Sequence, residues 1–352
     1  MKHIPATFGK ITVAHIQRSY LSRLVIIIAV FSLGYHPANG KDWYYNVDVG
    51  AAFINGPKTL FFAERDENAP FGRLANLKVD EGEGWGLGVG GTLGRPLDTP
   101  LFNAHGSRIE LSVFHADQEQ TTNRVFVDNG PGERYGYVAL DGSNGFGTPD
   151  GETLSTRVTR ENRFGRYELM LHQDRRIARN RLRSIFGGFS GMHLRQNIDS
   201  EGIITLPGSQ PTTTTLTESL NTDYVGGKLG LKWVNAMNDN FSASFDTALG
   251  FYGANSRYHG DYARVDQFGG REAVDSRQST TDFSLGLDAN FGLTYQHNPY
   301  FFTTLFSSFQ YLDYAPQVEY GAIGSPPAGH TLRIVQDQFF MAVVGLQLTC
   351  YR

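Results

Sequence analysis

The chain alternates apolar and polar residues over many short segments. From Phe283 to Tyr295, every second residue is apolar, and the residues between them are Ser, Gly, Asp, Asn, Gly and Thr. Successive side chains of a strand point to opposite faces, so a period of two predicts a β-strand with one apolar and one polar face. The same pattern predicts about ten strands (eight to twelve), at Trp43–Phe53, Trp85–Leu93, Ile109–Val113, Tyr167–Leu171, Ser184–Gln196, Val225–Trp233, Phe241–Phe251, Phe283–Tyr295, Tyr300–Tyr311 and Phe340–Leu348.

The residue types on the polar face indicate how these strands assemble. A soluble sandwich also has half-buried strands, but its outer face usually carries Lys, Glu and Thr. Here the polar face carries mostly Gly, Ser, Asn, Asp and Thr, and the chain contains 41 glycines. Small side chains suit the crowded inside of a narrow closed barrel. The pattern therefore favours an all-β, antiparallel up-and-down barrel over a sandwich.

The links between the predicted strands alternate in length. The shorter ones are 94–106, 174–181, 235–240 and 297–299; the longer ones are 55–83, 116–162, 197–221, 253–279 and 312–331. Transmembrane β-barrels place short turns at the periplasmic end and long loops outside the cell. The chain thus resembles the small bacterial outer-membrane β-barrel proteins, the porin-like and OmpA-type barrel superfamily. The resemblance implies extracellular loops, outer-membrane lipid and lipopolysaccharide as surroundings, and assembly-machinery recognition through strand 340–348.

The N-terminus is consistent with export. Residues 1–40 contain four basic and no acidic residues, an apolar run at Leu24–Leu33 and small residues at Ala38 and Gly40. This order is typical of a secretory signal peptide, and the apolar run is too short to span a bilayer. The sequence predicts a signal peptide over 1–40, a single barrel domain over 41–352, and a location in the outer membrane of a Gram-negative bacterium.

Composition excludes several classes of protein. The net charge of -4 gives no basic footprint for nucleic acid. A single Cys excludes a disulfide framework and a Cys-based zinc site. No cofactor or metal is predicted, and the oligomeric state stays open.

Two groups of residues are candidates for function. On the strand parity above, ten charged residues face the lumen: Asp48, Arg108, Glu110, Arg166, Glu168, Lys228, Lys232, Asp246, Asp282 and Asp288. Charges inside a barrel need partners or water, so they either pair across a plugged interior or line a narrow wet channel. Aromatic residues near strand ends predict girdles at the membrane interfaces: Trp43, Trp85, Trp233, Phe241 and Tyr295.

Three functions follow from this architecture. The leading hypothesis is a porin-like or structural barrel, with a narrow channel for small solutes. The alternative is an adhesion or host-interaction barrel that binds through its extracellular loops. The third is a hydrolase of lipid or peptide at the rim, with the His172–Asp174 pair or the His115–Asp117 pair as part of its site. No catalytic motif is recognisable, so the sequence predicts a protein that is not an enzyme.

Overall fold

The computed structural model describes residues 43–56, 61–66, 73–77, 79, 82–97, 106–127, 133–138, 144–146, 153–205, 208–319 and 333–351. The predicted signal peptide lies outside these ranges and, with the domain bounds, stays a prediction. Within the described ranges, no helix has the length and hydropathy that crossing a bilayer requires. The strands are β1 (Tyr44–Asn55), β2 (Phe62–Asp66), β3 (Arg73–Asn76), β4 (Glu83–Leu97), β5 (Gly106–Val127), β6 (Glu133–Val138), β7 (Asn144–Phe146), β8 (Thr153–Ala178), β9 (Arg181–Thr205), β10 (Thr212–Ala236), β11 (Phe241–Val265), β12 (Arg271–Asn298), β13 (Phe301–Glu319) and β14 (Arg333–Tyr351).

Ten of these strands close into one barrel. Their order around the wall is β1, β14, β13, β12, β11, β10, β9, β8, β5, β4, and β4 pairs with β1 again. Each neighbouring pair is antiparallel. The predicted fold class, an antiparallel barrel of about ten strands, is confirmed.

The strand register fixes the tilt of the wall. Following cross-strand partners once around the barrel from Pro96 on β4 leads back to Gly84 on the same strand, an offset of twelve residues. Twelve residues at about 3.3 Å each, over ten strand spacings of about 4.8 Å, give a tilt of roughly 40°. This value lies in the usual range for transmembrane barrels.

The two ends of the barrel differ. One end, called the turn end, carries the tight β8–β9, β10–β11 and β12–β13 connections and the first and last described residues, Trp43 and Tyr351. At the opposite, distal end the strands run much further than the sequence predicts. The predicted links 197–221 and 253–279 are largely strand, because β9 continues to Thr205, β10 begins at Thr212, β11 continues to Val265 and β12 begins at Arg271.

A second, four-stranded sheet lies within two of the predicted long links. Its order is β3, β2, β6, β7, and β2 pairs with β6 so that Phe62 lies opposite Tyr137. Phe61, Phe62, Leu77 and Val79 are buried in one cluster with side chains from four barrel strands: Leu154 and Val158 of β8, Ile204 of β9, Leu216 and Leu220 of β10, and Tyr258 and Tyr262 of β11. This inserted sheet therefore packs against the inside of the barrel at the distal end.

Candidate functional site

A buried ionic cluster crosses the lumen in the half of the barrel nearer the turn end. Along the barrel, 'above' means toward the distal end and 'below' means toward the turn end. Lys228 on β10 lies 2.8 Å from Glu168 on β8 and also contacts Asp288 on β12. Arg166 lies 3.7 Å from Glu168 and 4.0 Å from Asp288. Three strands separate β8 from β12 in the wall, so these contacts span the interior. We call Arg166, Glu168, Lys228 and Asp288 the upper ionic cluster. Its two positive and two negative charges balance.

Hydroxyl groups complete the coordination of Glu168. Ser190 donates to its Oε1 at 3.2 Å, and Ser112 donates to its Oε2 at 3.4 Å. Tyr252 in turn donates to Ser190 at 3.4 Å. A buried charge is tolerated when its remaining lone pairs are hydrogen-bonded, and here the neighbouring strands supply those donors.

A second group of charges, the lower ionic cluster, lies nearer the turn end. Arg108 donates through Nε to Glu110 at 2.7 Å and also binds Asp174. The two ring nitrogens of His172 lie 3.0 Å from Arg108 Nη2 and 2.9 Å from Glu110 Oε2. Tyr44 donates to Glu110 as well. The carboxylates here are held by cations or donors of the protein itself.

Above the ionic clusters, aromatic and aliphatic side chains meet across the lumen. Phe164 on β8 stacks on Phe339 on β14 with ring centroids 5.5 Å apart. Tyr224 on β10 donates to the Tyr314 carbonyl on β13 at 3.0 Å. None of these strand pairs is adjacent in the wall. This aromatic layer is one buried cluster with contributions from eight barrel strands.

The inward face of β8 shows the order of the layers. From the distal end it presents Leu154 and Val158 to the inserted sheet, then Arg160 and Asn162, then Phe164 in the aromatic layer. Below these follow the two ionic clusters. The lumen is thus packed at successive levels by described side chains.

Glycines on the lumen face make room for this packing. A Cβ on Gly88 of β4 would lie 2.9 Å from the ring of Phe114, and Gly94 lies directly against the ring of Tyr44. The sequence pattern suggested small residues because large ones would collide. The structure shows that some of these glycines accommodate a large neighbouring side chain, whereas at others, such as Gly86 and Gly226, a Cβ would collide with the backbone of the neighbouring strand.

The other predicted lumen residues take different places. Asp48 accepts from Gln347 at 2.8 Å, and Asp246 accepts from Asn290 at 2.6 Å. Lys232 is the cross-strand partner of Asp246. Asp282 has an inward register position opposite Ala254 but is solvent-exposed and belongs to neither ionic cluster. His172, Asp174 and Ser190 were not predicted to face the lumen, although His172 and Asp174 share the strand parity of Glu168, and Ser190 is the cross-strand partner of Glu168.

The two histidines of the hydrolase hypothesis lie on opposite faces of the wall. His172 points into the lumen and stacks on Phe186 at 5.0 Å. His115 is on the outside, with Nε2 2.9 Å from Asp117. They therefore do not belong to a common site.

The outer face carries a continuous apolar band. On β12 it runs from Phe283 to Tyr295, and on β10 from Val225 to Trp233, with large apolar side chains exposed. Twelve residue steps along β12, at about 3.3 Å and a 40° tilt, give a height of roughly 30 Å, close to the hydrocarbon core of a bilayer. The predicted girdle residues all lie on this outer face, Trp43, Trp233, Phe241 and Tyr295 toward the turn end and Trp85 toward the distal end.

Beyond the band, the outer face becomes polar while the strands continue. The outward positions are Asn255, Arg257, His259 and Asp261 on β11 and Asp275, Arg277, Ser279 and Thr281 on β12. Some inward positions are apolar there, as with Leu216 and Leu220 on β10, and others carry buried polar groups, as with Glu218 and Ser256. We call the parts of β9–β12 beyond the band the distal column. Its polarity is that of a protein in water.

Replacing Leu229 with arginine tests the apolar band. Leu229 is 62% exposed in the middle of the band, and an arginine there is expected to cost about 2–4 kcal/mol of folding free energy in a bilayer. Thr217→Arg, on the same face of β10 but in the distal column, is the matched control, with an expected change within about 0.5 kcal/mol. Urea titration of protein folded in lipid vesicles measures both. Equal values would contradict a membrane-facing band.

The closed antiparallel wall, the apolar band with aromatic edges and the buried polar groups inside together define the class of transmembrane β-barrels. No family model matches the sequence, and no curated protein matches it.

Several solved structures are similar to this chain over most of its length. The outer membrane protease OmpT from Escherichia coli is 10% identical, with 91% of this chain and 99% of that chain covered and a TM-score of 0.44. A Pseudomonas aeruginosa FadL homologue is 11% identical, with 89% and 90% covered and a TM-score of 0.24. The translocator domain of the autotransporter NalP from Neisseria meningitidis is 11% identical, with 93% and 95% covered and a TM-score of 0.18. At these values no function is transferred from them.

Strand Phe340–Leu348 lies within β14, between β1 and β13. Its recognition by assembly machinery and the contact with lipopolysaccharide stay predictions.

Proposed function

We propose that this chain is a closed barrel of the Gram-negative outer membrane that acts at the cell surface and is not an open solute pore. The observation that carries the proposal is the packing across the lumen, above all the stacking of Phe164 on Phe339 and the Arg166–Asp288 and Lys228–Asp288 contacts. Of the two outcomes that the lumen charges allow, a plugged interior and a wet channel, this geometry supports the first.

The distal column supports a binding role outside the membrane. Its outward face displays charged and hydrogen-bonding groups on paired strands, for example Arg257, which lies 3.2 Å from Asp223. The backbone that carries these groups is hydrogen-bonded and its inner face is packed. A surface held in this way is pre-organised for a ligand, which lowers the entropy cost of binding. It differs from the flexible loops that the adhesion hypothesis first assumed.

Planar-bilayer recordings test the proposal. The wild-type protein is expected to insert without discrete conductance steps, because side chains from opposite walls are in contact at several levels. Folding of the protein is checked separately by the different electrophoretic mobility of boiled and unboiled protein. Reproducible single-channel steps from folded protein would overturn the closed-barrel proposal and favour the narrow channel.

A further inference from the structure

Three potential metal ligands meet on the outer face of the distal column. His259 and Asp261 lie on β11, and Asp275 lies on β12. The Nε2 atom of His259 is 3.6 Å from Asp261 Oδ2 and 3.5 Å from Asp275 Oδ1. All three ligand atoms lie within 4.8 Å of one another. Nothing in the packed lumen or in the closed-barrel proposal depends on this group.

The contacts of His259 differ from the His193–Asp223 contact on the outer face. His193 Nδ1 lies 2.7 Å from Asp223 Oδ1, which is a hydrogen-bond distance. His259 Nε2 is shielded from solvent and makes no hydrogen bond with the described residues. It lies instead almost equally far from two carboxylates, which leaves room for an ion between the three atoms.

The pairing of β11 with β12 gives an independent reason to expect a cation at this site. Asp261 and Asp275 are direct cross-strand partners on an exposed face, and like charges directly opposite each other destabilise a sheet. Arg277 lies 3.1 Å from Asp275 Oδ2, which leaves the Oδ1 atom directed toward His259. A cation between the strands would neutralise the repulsion that Arg277 relieves from one side only.

The distances fit one class of metal. Zinc bound tetrahedrally by nitrogen and carboxylate oxygen at about 2.0–2.2 Å requires ligand atoms roughly 3.3–3.6 Å apart. The two distances from His259, 3.5 and 3.6 Å, agree with this spacing, and the two carboxylate oxygens lie within 4.8 Å of each other. Calcium takes six to eight oxygen ligands at longer distances, so an imidazole with two carboxylates disfavours it.

We propose that His259, Asp261 and Asp275 bind a zinc-class divalent cation on the outer face of the β11–β12 hairpin. The ion links the two strands outside the membrane band. Three protein ligands leave the fourth tetrahedral position to water or to a donor from an external molecule.

The test is calorimetric titration of Zn²⁺ into the metal-free mature protein, folded in detergent. Wild type is expected to bind one equivalent at this site, and His259→Ala and Asp275→Asn are each expected to weaken that binding at least about tenfold. His193→Ala is the matched control, because its ring is similarly exposed on the same outer face but contacts one carboxylate. It is expected to leave Zn²⁺ affinity unchanged, and Ca²⁺ is expected to bind far more weakly than Zn²⁺.

Any one of three results would overturn the proposed site. The wild type could show no saturable Zn²⁺ binding, or the binding could survive both His259→Ala and Asp275→Asn. The third result is a loss of affinity in His193→Ala as large as that in His259→Ala. The mobility difference between boiled and unboiled protein shows that each variant is folded. Co²⁺ gives a second measurement, since the intense visible absorption of tetrahedral Co²⁺ should appear in wild type and disappear in His259→Ala.

Discussion

Lys228→Met is expected to lower the free energy of unfolding by about 3–5 kcal/mol, the range for removing one partner from a buried ion pair. The Lys228 side chain is only 5% exposed and contacts both Glu168 and Asp288. Without it, two buried carboxylates share Arg166, whose nearest contacts to them are 3.7 and 4.0 Å. The loss is measured as the shift of the urea midpoint for protein folded in vesicles, with intrinsic tryptophan fluorescence as the signal.

Two further variants separate charge imbalance from general damage. Lys232→Met is the control, since Lys232 lies on the same strand and face but is only half-buried, and a change of about 1 kcal/mol or less is expected. Adding Glu168→Gln to Lys228→Met leaves one positive and one negative charge in the cluster, and should restore part of the lost stability. A Lys228→Met midpoint equal to that of Lys232→Met would mean that the ionic cluster is hydrated.

The membrane-facing half of each strand was predictable from the sequence. In a segment such as Phe283–Tyr295, lipid on one side and a polar lumen on the other impose a strict alternation. The number of barrel strands and the fold class follow from counting such segments. The inward parity of Arg166, Glu168 and Lys228 follows from the same alternation, because a strand allows a side chain only two directions.

The distal column escaped prediction because its polarity is reversed. Once the strands leave the membrane, water faces the outside and the packed core faces the inside. Leu216 and Leu220 are therefore inward, while Thr217 and Ser219 are outward. The sequence prediction follows apolar residues at every second position on one face of a strand, and that pattern ends where this reversal begins. The segments 197–221 and 253–279 were therefore predicted to be links between strands. A period of two that changes its phase within one strand is the signal that marks the membrane boundary.

The partners inside the lumen depend on contacts that no local pattern contains. Whether Arg166 meets Asp288 depends on the register of four successive strand pairs between β8 and β12. The inserted sheet also depends on contacts between distant segments, since β2 and β6 come from separate links. Sequence reasoning therefore left a plugged lumen and a wet channel both open, and the closed-barrel proposal rests on the side-chain contacts across the lumen.

Phe164→Ala should be about as destabilising as Lys228→Met. The expected loss of unfolding free energy is about 3–5 kcal/mol, the usual cost of truncating a fully buried phenylalanine. Phe164 is 0% exposed and stacks on Phe339 from the opposite wall, and the barrel wall limits how far the surroundings can collapse into the cavity. Phe339→Ala should cost a similar amount, and the double variant less than the sum, because both remove one contact.

Phe268→Ala is the matched control for this substitution. Phe268 is 87% exposed in the β11–β12 turn, so its loss should change stability by no more than about 0.5 kcal/mol. The urea midpoints of the three single variants in vesicles decide the matter. If Phe164→Ala proved as mild as Phe268→Ala, the two walls would not be in contact at this level. The narrow channel would then become the better account of the lumen, since the aromatic layer is what separates the ionic clusters from the distal end.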